Sequence, residues 1–278
     1  MSYRLLALDL DGTLLDRRGK VAAADRAAIA ALQASGVIVT IVTGRLAAGA
    51  TDAAAQCEIL GPIGCCDGSH LYDTAEQRTL AQHELSQEGW QVLDDALQRA
   101  SLARYVFSTD RVFCDSAGGR YAEYVRTWAP RLADLRDLRR DAPAWTEHAA
   151  LAQLMLGDPE EIAGVAEAVA GEPSLYGVQF AVSEAVSGAT PARALLVRAR
   201  GPSKGTALAE LCARHGVPLA QAVAVGDWWN DVPMFEVAGR SFAMPIAPED
   251  VKRAASDQLD GEASSIADAI AVCWPGLS

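Results

Sequence analysis

Two aspartates one residue apart, Asp9 and Asp11, interrupt an apolar stretch near the start of the chain, and Gly12 and Thr13 follow at once. Far downstream, Gly226-Asp227-Trp228-Trp229-Asn230-Asp231 again sets carboxylates directly after an apolar run. Carboxylates gathered in a partly dry site repel one another and resist ionising unless a cation lies among them. A bound metal is therefore the economical reading. Oxygen-only ligands from aspartate suit Mg2+, whereas zinc would want histidine or cysteine, and neither is near. A carboxylate is a weak nucleophile, but a phosphorus held in line with its oxygens neutralised needs little nucleophilic push, because the transition state is loose. Asp9 is thus expected to attack phosphorus. Asp11, two residues on and on the same side of an extended backbone, is expected to protonate the leaving oxygen and then to activate water.

Those side chains need strand ends to carry them. The run Arg4-Leu5-Leu6-Ala7-Leu8 stops at Asp9, as a strand buried on both faces does when it enters a polar loop. An Ala-rich helix is expected over 22–35, with Gly36 at its C-terminal cap. The β-branched run from Val37 to Val42 predicts a central strand that ends at Thr43-Gly44-Arg45. Strand, helix, strand is the signature of a parallel sheet, whose ligand crevice lies at the carboxyl ends of the strands. The same rhythm returns after Ser203-Lys204-Gly205: Leu208, Leu211 and Cys212 recur at helical spacing up to Gly216, and Ala222–Val225 is a short buried strand. Lys204 opens that helix, the wrong end for a cation by dipole arguments, so it is expected to face an anion.

Between about 82 and 199 the rhythm breaks. The pattern there predicts a helix over 90–100, a hairpin over 105–115, a helix over 121–128, a strand over 151–156, a helix after Asp158-Pro159 and two alternating runs at 175–182 and 194–198. Hairpins mixed with helices imply a small α+β domain inserted into the first. The expected division is therefore a discontinuous core of 1–81 and 200–278 and an insert of 82–199.

In order along the chain, Asp9-Leu-Asp-Gly-Thr-Leu-Leu-Asp16, Thr43-Gly-Arg45, Ser203-Lys204-Gly205 and Gly226-Asp-Trp-Trp-Asn-Asp231 resemble the motifs of the haloacid-dehalogenase-like superfamily. The insert between the second and third motifs resembles the type-two cap of its Cof-like, class IIB sugar-phosphatase branch. The resemblance implies an α/β fold, a Rossmann-like parallel-sheet core with an inserted α+β type-two cap domain. It implies a Mg2+-dependent phosphoric monoester hydrolase acting on a small phosphorylated metabolite, a sugar phosphate above all. It makes Asp9 the nucleophile, Asp11 the acid/base, Thr43 a hydrogen-bond donor to phosphate and Lys204 the charge partner of the phosphoryl group. Metal would be held by Asp9, Asp227 and the backbone carbonyl of Asp11. Gly12, Gly44, Arg45 and Asn230 would surround the phosphate, with Asn230 and Asp231 also orienting the ligands and Lys204. The chain departs from the family pattern at Asp67-Gly68-Ser69, where Asn-Gly-Ala is common, and at Pro245-Ile246 within Ala243–Ala247, where Ile246 supplies no polar group.

Composition narrows the partners. A formal net charge of −12 and a pI near 4.8 run against nucleic acid and acidic membranes, both of which reward a basic surface. No leader pattern or apolar stretch of spanning length is legible, so a cytoplasmic monomer or homodimer is expected. The six cysteines lack zinc-site spacing and are expected to be reduced and mostly buried. None of His70, His83, His148 and His215 shows ligand spacing. Trp228 and Trp229 are expected to pack, or one of them to wall the substrate. Two readings stay open beside hydrolysis: a phosphotransferase or mutase using the same aspartyl-phosphate, and a catalytically silent binding or regulatory module.

Overall fold

The computed structural model describes residues 2–114, 116–126, 132–134, 138, 149–187, 191–260 and 265–276. The ends of the expected hairpin at Asp115 and of the expected helix at Trp128, and also His148, lie outside them. The chain divides into two compact units, Met1–Ala81 with Pro202–Ser278, and Gln82–Gly201.

The first unit begins with β1 (Leu5–Leu8), α1 (Ala23–Ala34), β2 (Ile38–Ile41), α2 (Ala47–Gln56), β3 (Pro62–Cys65), β4 (His70–Asp73) and β5 (Arg78–Gln82). In the second unit follow α3 (Gln87–Ala96), β6 (Ala103–Phe107), β7 (Val112–Cys114), α4 (Ala122–Arg126), β8 (Leu132–Asp134) and β9 (Ala152–Gly157). It continues with α5 (Pro159–Ala170), β10 (Leu175–Ala181), α6 (Glu184–Ser187) and β11 (Arg193–Ala199). The chain then returns to the first unit with α7 (Lys204–Arg214), β12 (Ala222–Gly226), α8 (Val232–Val237), β13 (Arg240–Ala243), α9 (Glu249–Ala254), β14 (Asp257–Gln258) and α10 (Ile266–Cys273).

In the first unit β14-β13-β12-β1-β2 form a parallel sheet. Its strands are apolar on both faces because helices cover both. Leu6, Leu8, Val223 and Val225 pack with Ile29 and Leu32 of α1 and Ile266 and Ile270 of α10. Leu5, Ala7, Ala222 and Ala224 pack on the other side with Leu208 and Leu211 of α7 and Met234 and Phe235 of α8. The expected central strand, β2, is instead the outermost of this ladder. β3 lies beside it through a single bridge, Val42 to Gly64, and through the Thr40 hydroxyl donating to the Pro62 carbonyl at 2.8 Å. Pro62 has no N–H to give, so a full ladder does not form there. β3 pairs instead with β4, antiparallel.

The second unit is a six-stranded sheet, ordered β10-β11-β9-β6-β7-β8, antiparallel except for the β7–β8 pair. Met155, Leu195 and Val197 on one face pack with Leu93 of α3 and Ile162, Val165 and Val169 of α5. Asp158 starts α5 by accepting from the amides of Glu160 and Glu161 at 2.8 and 3.1 Å, with Pro159 in the first turn. Among the described residues no helix is long and apolar enough to cross a membrane.

Candidate active site

The end of β1 runs straight into Asp9, whose amide donates to the Val225 carbonyl of β12 at 3.0 Å. Backbone pairing thus sets Asp9 beside the strand that delivers Asp227. The turn that follows needs glycine at position 12. Gly12 has φ +83°, and a Cβ there would stand 2.4 Å from Asp227 Oδ2. The next hydroxyl, Thr13 Oγ1, donates to Asp227 Oδ1 at 3.0 Å and holds that carboxylate. Thr13 carries no role in the sequence reading, although it belongs to the first motif.

Lys204 is the first residue of α7. Ser203 caps the helix, its hydroxyl accepting from the Thr206 amide at 3.1 Å while the Thr206 hydroxyl accepts from the Ser203 amide at 2.8 Å. That capping box turns the Lys204 side chain inward, where only 1 % of it is exposed. Its ammonium donates to Asp9 Oδ1 at 2.5 Å and to Asp231 Oδ1 at 2.6 Å. Asp231 Oδ2 accepts from the amides of Asp227 and Trp228 at 2.8 and 2.9 Å. Both oxygens of Asp231 are thereby occupied, so it holds the lysine and the 227–228 turn together.

Asp9, Asp227 and Asp231 each offer an oxygen within 4.8 Å of the others, and all three are buried. Among the described residues no hydrogen bond is made to Oδ2 of Asp9 or of Asp227. Burial pushes the Asp9 carboxyl well above the usual carboxylate range, with Asp231 and Asp227 adding to the effect and Lys204 opposing it. Burial likewise lifts Asp227 to about 6, with Asp231 reinforcing and the Thr13 hydroxyl opposing. Burial alone would lower the Lys204 pKa, but Asp231, Asp9 and Asp67 outweigh it and raise it. Three carboxylates share one ammonium, leaving negative charge that a divalent cation would offset. The donors are hard oxygens without nitrogen or sulfur, the set Mg2+ takes. The residues present fit such an ion, with Asp9 and Asp227 the side chains that retain an oxygen for it.

The other expected residues lie around this group. Asp11 is exposed and both its oxygens accept from Arg45, Nε to Oδ2 at 2.7 Å and Nη2 to Oδ1 at 2.5 Å. This fork pairs the expected acid/base with the expected phosphate-binding arginine, and that hydrogen bonding raises the Arg45 pKa further. Thr43 is buried at the end of β2; its amide donates to the Gly64 carbonyl at 2.9 Å and its hydroxyl accepts from the Arg45 amide at 3.1 Å. Gly44 lies against the Asp67 carboxylate, since a Cβ on it would be 3.3 Å from Asp67 Oδ1. Asn230 Nδ2 donates to that same oxygen at 2.9 Å. Trp228 and Trp229 are half exposed and meet edge to face at 4.5 Å, so neither fills the packing role that was one expectation for them. His70 is buried, its Nε2 paired with the Thr79 hydroxyl at 2.9 Å, and burial lowers its pKa to about 4. The cysteines form no disulfide among the described residues, and five of them are buried.

Comparison with known proteins places this arrangement in a family. The profile of the haloacid dehalogenase-like hydrolases matches residues 6–270. The chain is 26% identical to the 5-amino-6-(5-phospho-D-ribitylamino)uracil phosphatase YwtE of Bacillus subtilis over 272 residues, covering 90% of each chain. It is also 26% identical to the pyridoxal phosphate phosphatase YbhA of Escherichia coli over 285 residues, covering 97% of this chain and 98% of that one. Solved structures of the same fold include a haloacid dehalogenase-like hydrolase from Bacteroides thetaiotaomicron, with TM-score 0.82, 21% identity and coverage of 98% and 100%. Another is the subclass IIB sugar phosphatase BT4131, with TM-score 0.73, 18% identity and coverage of 97% and 96%. With the profile spanning nearly the whole sequence, the chain belongs to the haloacid dehalogenase-like hydrolase family.

Proposed function

We propose that this phosphoric monoester hydrolase dephosphorylates a small phosphorylated metabolite with a sugar-derived skeleton, using Mg2+ and a phosphoryl group carried transiently on Asp9. The observation that carries the reading is the buried Lys204 ammonium held between Asp9 and Asp231 beside Asp227. A lysine so placed is a fixed positive charge for a phosphoryl group, and Asp9 beside it is the carboxylate positioned to attack. Mg2+, held by Asp9, Asp227 and the backbone carbonyl of Asp11, would supply charge neutralisation to the phosphoryl oxygens.

In the first half-reaction an Asp9 oxygen forms a bond to phosphorus and the ester P–O bond breaks. The leaving oxygen takes a proton from Asp11. In the second, Asp11 removes a proton from water as the water oxygen bonds to phosphorus, and the P–O bond to Asp9 breaks to release inorganic phosphate. Both Asp11 oxygens accept from Arg45 in the structure, so this proton traffic requires the fork to part. Thr43, Gly44 and Asn230 border the same group and are assigned to the phosphate, with Gly12 keeping the turn close to Asp227. The sugar-derived skeleton is supported by the phospho-ribityl group in the name of the B. subtilis relative.

The test is turnover of p-nitrophenyl phosphate with and without Mg2+, in the wild type and in Asp9→Asn. The reading expects phosphate release that EDTA abolishes and Mg2+ restores, and a loss of at least about a thousandfold in the variant. Equal rates in the two proteins would end it.

A further inference from the structure

The turn after β3 adopts a backbone that its side chains do not favour. Cys66 and Asp67 have φ of 49° and 51°, and Gly68 follows at 90°. Gly68 is at ease in the left-handed region and aspartate enters it at modest cost, but Cys66 does not favour it. Such a conformation persists where the surroundings hold it, and here two other loops do. The Cys66 amide donates to the Arg45 carbonyl at 2.8 Å and the Asp67 amide to the Thr43 carbonyl at 3.0 Å. From the opposite side, Asn230 Nδ2 donates to Asp67 Oδ1 at 2.9 Å. Asp67 therefore joins the loop after β2 to the loop after β12, and it is itself buried. A carboxylate only accepts, so the Asn230 amide is obliged to turn its NH2 toward position 67. Asn230 Oδ1 then faces away, buried and with no hydrogen-bond partner among the described residues. A carboxamide at 67 would accept either orientation of Asn230; a carboxylate permits one.

We propose that Asp67 is a positioning residue whose carboxylate fixes the orientation of the Asn230 amide and ties it to the Thr43–Arg45 loop, so that the groups assigned to phosphate are preset before substrate arrives. This rests on the phosphatase reading above, and it adds a residue that reading does not use. The burial and backbone strain of Asp67 are accounted for by it, because presetting lowers the ordering cost of binding.

A double-mutant cycle in the full-length, Mg2+-loaded protein tests it, comparing Asp67→Ala, Asn230→Ala and the double variant. The readouts are KM and kcat for p-nitrophenyl phosphate and competitive inhibition by inorganic phosphate. Asp67→Ala is expected to raise KM and the phosphate inhibition constant about tenfold, with a smaller change in kcat. The double variant is expected to be no worse than Asn230→Ala alone, because the two residues act as one unit. Asp67→Asn keeps an acceptor and tolerates positive φ but no longer dictates the Asn230 orientation, so it is expected to fall between wild type and the alanine variant, with KM about threefold above wild type. A wild-type KM in Asp67→Asn would show that the carboxylate is not needed and overturn the proposal. If Asp67→Ala does not fold, Asp67→Gly meets the backbone demand without the carboxylate and takes its place. Additive losses in the cycle, a wild-type KM in Asp67→Ala, or an Asp67→Asn as impaired as the alanine variant would each overturn the proposal. A wild-type protein without Mg2+-dependent turnover would instead overturn the phosphatase reading itself.

Discussion

Lys204 shows how much this site depends on mutual compensation. Its ammonium and the two carboxylates that receive it, Asp9 and Asp231, are all withdrawn from water. Removing one partner of such a group strands the others. Lys204→Met should therefore destabilise the metal-free protein by about 3–5 kcal/mol, measurable by denaturant unfolding, and should abolish turnover. The acidic pair makes a second prediction, with a definite sign. Asp227 lies at about 6 in the folded protein against an ordinary 3.8, and Asp9 is shifted the same way. The folded state thus binds these protons more tightly than the unfolded chain does. The stabilisation from Asp227 is complete below about 3.8 and is lost as pH rises through about 6, and Asp9 acts in the same direction. A divalent cation takes over the protons' part, so added Mg2+ should raise the melting temperature more at about pH 8 than at about pH 5, and Asp227→Asn should flatten the difference. Equal Mg2+ effects at both pH values would contradict the assignment of Asp227 to the ion. At this scale the sequence exposed the aspartates and Lys204 plainly, because each directly follows an apolar run or opens a helix. It did not expose the pairing of Asp11 with Arg45 or of Asp67 with Asn230. Those contacts depend on loops distant in the chain approaching one another, and Cys66 is not of a type that announces a left-handed backbone.

Elements set the tolerances within which those residues work. The helix that starts at Lys204 runs against α8 closely enough that a Cβ at Gly205 would stand 2.3 Å from the Pro233 carbonyl oxygen. Backbone cannot yield there as a side chain end could. Gly205→Ala is accordingly expected to push α7 off α8, to lower stability by more than about 1 kcal/mol, and to reduce kcat by withdrawing Lys204 from Asp9. Normal kcat in a folded Gly205→Ala would contradict the dependence of Lys204 on that contact. Strands β1 and β12 were legible as short apolar runs ending in aspartate, and α7 by its spacing and its cap. The position of β2 was not: a β-branched run reads as central, yet Pro62 in the neighbouring strand leaves only one bridge beyond it. Apolar character reports burial by helices as readily as burial by strands.

For the whole molecule, acidic groups outnumber basic ones, 36 to 24, while the proposed substrate is an anion. Attraction then has to be local, from Lys204, from the proposed cation and from the backbone around Thr43 and Asn230, and not from the general field of the protein. The interruption of the βα rhythm between the second and third motifs made a second unit legible, because hairpins and helices alternate there without the crossover pattern of a parallel sheet. The order of its six strands was not legible, since antiparallel pairing across long sequence separations leaves no local mark. Everything chemical in the account converges on one event, the formation of a bond between phosphorus and Asp9. The most direct test is to mix the enzyme with Mg2+ and a labelled phosphate monoester, quench in acid during turnover, and map the label by peptide mass spectrometry. The expected result is one phosphoryl group on the peptide containing Asp9, absent without Mg2+ and absent in Asp9→Asn. Label on another residue, or undiminished turnover by Asp9→Asn, would contradict it.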